Sequence, residues 1–171
     1  MDLALFDFDG TITFKDSFEP FLRYATGRSR TVIGGIALLP LIIAYKLGLV
    51  SASKTRAIVA GFAFRGRPLT DVQRLGSAYA KEILPKTLRP KALERIMWHR
   101  TRGDRVVVVS AALCVYLEEW CRLMEVEVIC TSFETKNGMI TGRYQRMKIT
   151  SIDPDGQSAG YAETRACDAE A

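Results

Sequence analysis

Histidine is nearly missing: His99 is the one histidine in 171 residues. Cysteine is scarce, and Cys114, Cys121, Cys130 and Cys167 form no C-x-x-C pair. With no paired thiols and no histidine at ligand spacing, neither a zinc site nor a disulfide framework is expected. The thiols read as reduced and mostly buried, which points to a reducing compartment, the cytoplasm. No basic segment precedes the apolar stretch that starts after Asp2, so no signal peptide is expected. The most hydrophobic run, 32–44 (VIGGIALLPLIIA), has thirteen residues, whereas crossing a bilayer takes roughly twenty. There is no internal repeat. A hydrophobic content of 48% with 25% charged residues excludes disordered, collagenous and low-complexity classes.

What is present is unevenly charged. The net charge is +5, but residues 12–102 hold seventeen bases and five acids, and residues 151–171 hold five acids and one base. A basic block suggests an anionic partner, such as a phosphorylated small molecule, a lipid phosphate or an acidic membrane surface. A solvated basic face is the plainer alternative. No helix-turn-helix or RNA-binding signature accompanies the charge, so nucleic acid is not expected as a partner. Residues 31–47, whose apolar run 32–44 is bounded by Arg28 and Arg30 on one side and Lys46 on the other, could lie at a membrane interface as a peripheral contact or form a buried helix.

Residues 2–8 (DLALFDF) read as a short buried strand. Helical patterning follows. Ser17 caps a helix to about Tyr24, 29–47 and Ser53–Phe62 continue it, Pro68 and Thr70 open one to about Leu84, and Pro90 opens one to about Arg102. Arg105–Val109 (RVVVV) returns to strand, because β-branched residues crowd a helix and suit a pleated sheet. A helix over 111–123 is expected, with Ala112, Val115, Leu117 and Leu123 inward. A strand at 126–131 follows it, implying a parallel crossover. Residues 132–145 read as a hairpin with a type I′ turn at Asn137-Gly138. Near the end of its helix His99 has a structural role, and Trp98 and Trp120 are packing residues. Arg65 and Arg67 either meet a phosphate or sit in water.

The chemistry concentrates after the first strand, in Asp7-Phe8-Asp9-Gly10-Thr11. A carboxylate ending an apolar strand is costly unless it works there, and ligands of open parallel sheets sit at strand carboxyl ends. Asp9, two residues on, projects from the same side as Asp7. Gly10 permits a sharp turn that leaves amide groups facing an oxyanion. Two close acids repel each other, and a divalent cation such as Mg²⁺ would relieve this and bring a phosphate to the carboxylate. The second strand ends in Ser110-Ala111-Ala112, where a small hydroxyl and helix amides suit a phosphate oxygen. An ordinary turn and an ordinary helix cap are the bland alternatives.

The segments LALFDFDGTIT (3–13), GDRVVVVSAA (103–112) and NGMITGR (137–143) resemble the haloacid dehalogenase superfamily, in its phosphoserine-phosphatase-like branch. The order ITFKDSFEPFLRY and then a Leu/Ile/Pro-rich helix is similar to phosphatidylglycerophosphate phosphatases and their relatives. The resemblance covers about residues 1–145. It implies an α/β fold with a Rossmann-like three-layer core around a parallel sheet. Residues 1–14 and 100–145 would form that core, 15–99 a helical cap inserted after the first strand, and 146–171 an atypical tail. It implies a Mg²⁺-dependent phosphomonoester hydrolase working through an aspartyl-phosphate. Asp7 would be nucleophile and metal ligand. Asp9 would protonate the leaving group, activate water and offer its carbonyl to the metal. Phe8, Gly10, Thr11, Ser110 and Ala111 would bind the phosphoryl group.

Past Gln145 the likeness fades. Lys148 is the one lysine available for the family's phosphoryl-binding lysine motif. GYAETRACDAEA (160–171) is similar to its acidic metal motif, with Glu163 and Asp168 at acid positions. Asp153 and Asp155 are rival acids in a turn-like IDPDG. No strand is expected in SIDPDGQSAG. The change in composition at residue 146 suggests a truncated chain or an altered reading frame, a sheet incomplete at its C-terminus and an unpaired edge on the first strand. The rival function is therefore a catalytically impaired relative that only binds anions or a membrane surface.

Overall fold

The structure is a computed structural model that describes residues 2–27, 34–145, 147–152 and 158–163, the side chains of 148, 151–152 and 158–163 excepted. The described elements are strands β1 (Leu3–Phe6), β2 (Arg105–Leu113), β3 (Glu127–Thr131), β4 (Phe133–Lys136), β5 (Met139–Tyr144), β6 (Lys148–Ile152) and β7 (Ser158–Glu163). The helices are α1 (Phe18–Ala25), α2 (Leu39–Lys46), α3 (Ala52–Phe64), α4 (Leu69–Glu82), α5 (Pro90–Thr101) and α6 (Cys114–Leu123).

Five strands form one sheet in the order β1-β2-β3-β6-β7. β1, β2 and β3 are parallel, as the strand–helix–strand alternation requires, and α6 is the crossover between the last two. β1 is an edge strand, as expected. The hairpin β4–β5 stands as its own two-stranded sheet. Its turn residues Asn137 and Gly138 have φ of 53° and 75°, the paired positive values of a type I′ turn.

Three expectations about elements are corrected. A single helix over 29–47 is not seen: a helical turn at 34–37 precedes α2, and residues 28–33 lie outside the described residues. Pro40 sits in the first turn of α2, where its missing N–H costs nothing; further into a helix it would clash with the preceding turn. The helix expected from 111 begins at Cys114, because β2 runs on to Leu113; Leu123, expected inward, is exposed. SIDPDGQSAG (151–160), expected to hold no strand, contains the end of β6 and the start of β7, which pair antiparallel with each other while β6 pairs with β3. The turn holding Asp153 and Asp155 lies outside the described residues. Trp98, expected to pack, is exposed, with Arg95 and Arg102 over its ring. Trp120 is buried, edge-on to Phe8.

The expectation of unpaired thiols is corrected too: Cys114 and Cys130 form a disulfide, with Cα atoms 5.2 Å apart. Linear spacing could not show this. The crossover through α6 returns the chain to the strand beside β2 and so brings together residues sixteen apart. Cys121 is buried and free.

One buried cluster joins sheet and helices. It includes Val106 and Val108 of β2, Tyr116, Leu117 and Trp120 of α6, Val72 and Tyr79 of α4, Phe21 of α1 and Phe64 of α3. The ring of Phe21 meets those of Phe64, Tyr79 and Tyr116. α4 approaches α6 so closely that a Cβ on Gly76 would stand 1.9 Å from the Val115 carbonyl oxygen. This contact presses residues 69–82 onto the helix that follows β2.

Candidate active site

The parallel register pairs Phe6 with Val108. Asp7 therefore leaves β1 level with Val109, and Ser110 lies one step further along the adjacent strand, about 5 Å away across the sheet. Open parallel sheets place their ligands at this end. The chain then turns through Phe8–Ile12, with Gly10 at φ +80°, a left-handed conformation that a side chain would strain. Phe8 and Ile12 are fully buried and anchor the turn from below. From the helical side, the Arg89 amide donates to the Ile12 carbonyl at 2.8 Å and the Phe14 amide to the Thr87 carbonyl at 2.9 Å.

The two aspartates are held differently. Asp7 is exposed, and the Thr11 hydroxyl donates to its Oδ2 at 3.2 Å. Asp9 is largely buried, its side chain 14% exposed. Its Oδ1 accepts from the Ser17 amide at 2.9 Å and the Ser17 hydroxyl at 2.6 Å. Tyr116 Oη lies 2.8 Å from that hydroxyl, and the Tyr79 hydroxyl donates to the Ser17 carbonyl at 3.2 Å. With the Ser17 proton committed to Asp9, Tyr116 must donate, so a chain of donors runs from the core to one oxygen of Asp9. The other oxygen, Oδ2, is buried without a hydrogen-bond partner. Arg56 Nη1 is 3.9 Å from it, and the same guanidinium pairs with Asp16. Burial first, and the charge of Asp9 second, push the Tyr79 hydroxyl up to about 12. The same two causes raise Tyr116. Both phenols therefore stay protonated donors at neutral pH.

The remaining expected residues fall as follows. The Gly10 amide donates to Thr13 Oγ1 at 3.2 Å, so it is engaged within the turn. Ser110 is buried, and its Oγ accepts from the Ala112 amide at 3.1 Å; Ala111 is exposed. Lys148 opens β6 opposite Cys130, three strand positions from β1, or about 14 Å along the sheet. Glu163 ends β7 at the edge opposite β1, four positions or about 19 Å away. The backbone thus does not bring Glu163 beside Asp7, and Asp168 lies outside the described residues. Arg67 donates to the Ala25 carbonyl at 2.9 Å, and the Arg65 side chain lies against Gly142. His99 pairs with Asp104 at 2.9 Å, the structural role expected of it.

Ser17 stands at the N-cap of α1 as expected, but its side chain serves Asp9 rather than the helix, and neither Tyr116 nor Arg56 carries a local signal of a role here. Tyr116 is ninety-nine residues from Ser17, and no local pattern signals such a contact. The donors fit a hard divalent cation: an exposed carboxylate on Asp7 and the backbone carbonyl of Asp9, while the unbonded Asp9 Oδ2 is left for proton transfer. Mg²⁺ commonly takes one or two carboxylates and fills its shell with water and phosphate oxygens.

The family of haloacid dehalogenase-like hydrolases matches residues 4–162, and the chain belongs to it. Protein CicA of Caulobacter vibrioides is 34% identical over 110 residues, 64% of this chain and 49% of that protein. The chain spans about half the length of the curated relatives it matches. Among solved structures, a Bordetella pertussis Tohama I protein of unknown function aligns with TM-score 0.65 and 22% identity, over 84% of this chain and 66% of that one. A phosphoserine phosphatase described as a phospho-aspartyl intermediate analogue aligns with TM-score 0.56 and 20% identity, over 85% and 63%. Cytosolic 5'-nucleotidase IIIB bound to cytidine aligns with TM-score 0.57 and 17% identity, over 85% and 53%. At these identities the structures establish a shared fold.

Proposed function

We propose that the protein hydrolyses phosphate monoesters, of a small molecule or a lipid, through an aspartyl-phosphate on Asp7. The observation that carries this reading is the division of labour between the aspartates: Asp7 is open at the strand end, and Asp9 is fixed by one oxygen and unbonded at the other. The phosphoserine phosphatase with a phospho-aspartyl analogue supports the same chemistry. Asp7 attacks phosphorus in line, a bond forms from its carboxylate oxygen, and the bond to the leaving oxygen breaks. Asp9 holds a proton at Oδ2 and gives it to the leaving oxygen; the carboxylate left behind takes a proton from the water that cleaves the intermediate. Ser110 donates its hydroxyl to a phosphoryl oxygen. Asp7 and the Asp9 carbonyl would hold Mg²⁺, which supplies positive charge to the phosphate when bound. Residues 15–99 act as the cap that selects the substrate.

Turnover of a phosphate-ester panel with Mg²⁺ tests this. The Asp7→Asn protein is expected to lose activity at least a thousandfold, and undiminished turnover would remove Asp7 as the nucleophile.

Peripheral contact with the inner face of the cytoplasmic membrane belongs to the same proposal. No described helix is long and apolar enough to cross a membrane. α2 has no buried residue, however, and Ile36, Leu39, Ile43, Leu47 and Leu49 are all exposed beside Lys46. Binding to vesicles containing anionic lipid that weakens with salt is the expected result. Equal retention by neutral vesicles at every salt concentration would count against the electrostatic part.

A further inference from the structure

The disulfide sits where the phosphoryl strand and its neighbour lose step. β2 and β3 pair regularly up to Val109 and Ile129, and pairing resumes at Leu113 and Thr131. β2 thus advances four residues where β3 advances two, so Ser110–Ala112 bulge opposite Cys130 alone. Cys114, the first residue of α6, follows Leu113, where the pairing resumes, and Cys130 directly precedes Thr131. The bond therefore clamps the far end of the bulge to the next strand. Within it, Ser110 Oγ is turned onto the Ala112 amide.

Cys114 and Cys121 line a cavity of about 250 Å³ together with Glu118, Val128 and Thr150. Cys130 is fully buried and is not part of that lining. Cys114 is itself buried, 4% exposed, and this cavity is the side on which it nears solvent. A helix N-terminus also favours a thiolate at Cys114.

We propose that Cys114 and Cys130 are a reversible dithiol–disulfide pair that regulates the phosphoryl site by locking the Ser110–Ala112 bulge. The regulatory part rests on the reading of Ser110 as a phosphoryl ligand. The oxidant is a low-molecular-weight disulfide of the glutathione class. The Cys114 thiolate attacks one of its sulfurs, the reagent's S–S bond breaks, and one thiolate leaves with the electron pair. The Cys130 thiolate then attacks the Cys114 sulfur of the mixed disulfide and expels the second thiol. Two protein thiols are oxidised and one small disulfide is reduced to two thiols; the two protons lost by the protein thiols end on the two departing thiolates, so none is released overall. With the bond closed, the bulge cannot shift toward a phosphoryl oxygen; a misplacement of about 1 Å at such a site can cost on the order of a hundredfold in rate.

The test uses the full chain with Cys121→Ser and Cys167→Ser, equilibrated in glutathione buffers of graded oxidation. Three readouts are followed: alkylation of each thiol by mass spectrometry, amide hydrogen exchange at 110–114, and turnover of phosphate esters. Expected are joint loss of both thiols in one two-electron transition and exchange at least tenfold slower in the oxidised form. A fall of at least tenfold in kcat/KM, restored by dithiothreitol, completes the pattern. Adding Cys114→Ser or Cys130→Ser should abolish all three responses. The proposal is overturned if the thiols do not pair, if exchange at 110–114 is the same in both states, or if both states hydrolyse phosphate esters at the same measurable rate. It is also overturned if the reduced pair retains stoichiometric zinc with Glu118. A protein that hydrolyses nothing in either state, yet shows the exchange shift, defeats the hydrolase reading and leaves the redox lock standing.

Discussion

Ser17 spends both its amide and its hydroxyl on one oxygen of Asp9, and Tyr116 in turn supports that hydroxyl. A general acid is useful only when its proton points at the leaving oxygen, so fixing Oδ1 aims Oδ2. Ser17→Ala should lower kcat by about ten- to a hundredfold, on the order of part of a general acid's contribution, with KM little changed. Ser17→Thr should recover much of the loss, because it restores a hydroxyl. Steady-state kinetics with a pH profile separates this from simple destabilisation. The alanine variant also leaves a buried tyrosine hydroxyl short of a partner, a cost of about 1–3 kcal/mol, so its fold should be checked by thermal melting.

Between elements, α4 lies tightly on α6, where Gly76 leaves room for the Val115 carbonyl. Gly76→Ala must push the helices apart or bend one of them. The expected loss is about 1–3 kcal/mol, typical of overpacking, read as a lowered melting temperature. Gly35→Ala is the matched control, since nothing lies within 4 Å of its Cβ position. The displacement matters for function too, because α6 follows directly on the strand that carries Ser110. The local grammar of this region was legible in advance: RVVVV gave a strand, Asn137-Gly138 a turn, and Pro90 a helix start. The start of α6 was not, because the extension of β2 to Leu113 is stabilised by pairing with Thr131 of another strand.

Across the whole molecule, two sets of ionisable groups tie folding to pH. Hydrogen bonding from Arg122, and then from Lys81, outweighs burial and holds Glu119 at about 2. Its folded value lies below its unfolded value of 4.5. Its contribution is therefore present above pH 4.5 and lost as pH falls toward 2. Tyr79, raised from 10 to about 12, works in the opposite sense: its contribution is full below pH 10 and lost as pH rises toward 12. Urea midpoints should accordingly fall on both sides of a neutral plateau. Glu119→Gln should flatten the acid limb between pH 4.5 and 2, and an unchanged acid limb would show that Glu119 does not carry it. The same scale exposes the edge: β1 bears Leu3 and Leu5 outward, exposed by 58% and 63%, while β6 and β7 extend the sheet on the opposite side.

By itself, the sequence determined the parallel strands, the hairpin, the helical stretch between the first two strands and the aspartate pair that follows the first strand. All of these follow from periodicity, turn chemistry and the cost of placing carboxylates after an apolar strand, which are properties of neighbours along the chain. Only the tertiary structure decided that Ser17 and Tyr116 serve Asp9, that Cys114 meets Cys130, and that β6 and β7 pair beyond β3, leaving Glu163 far from Asp7. Those contacts join residues far apart in the chain, and their partners are chosen by packing around a shared core, which no local pattern encodes.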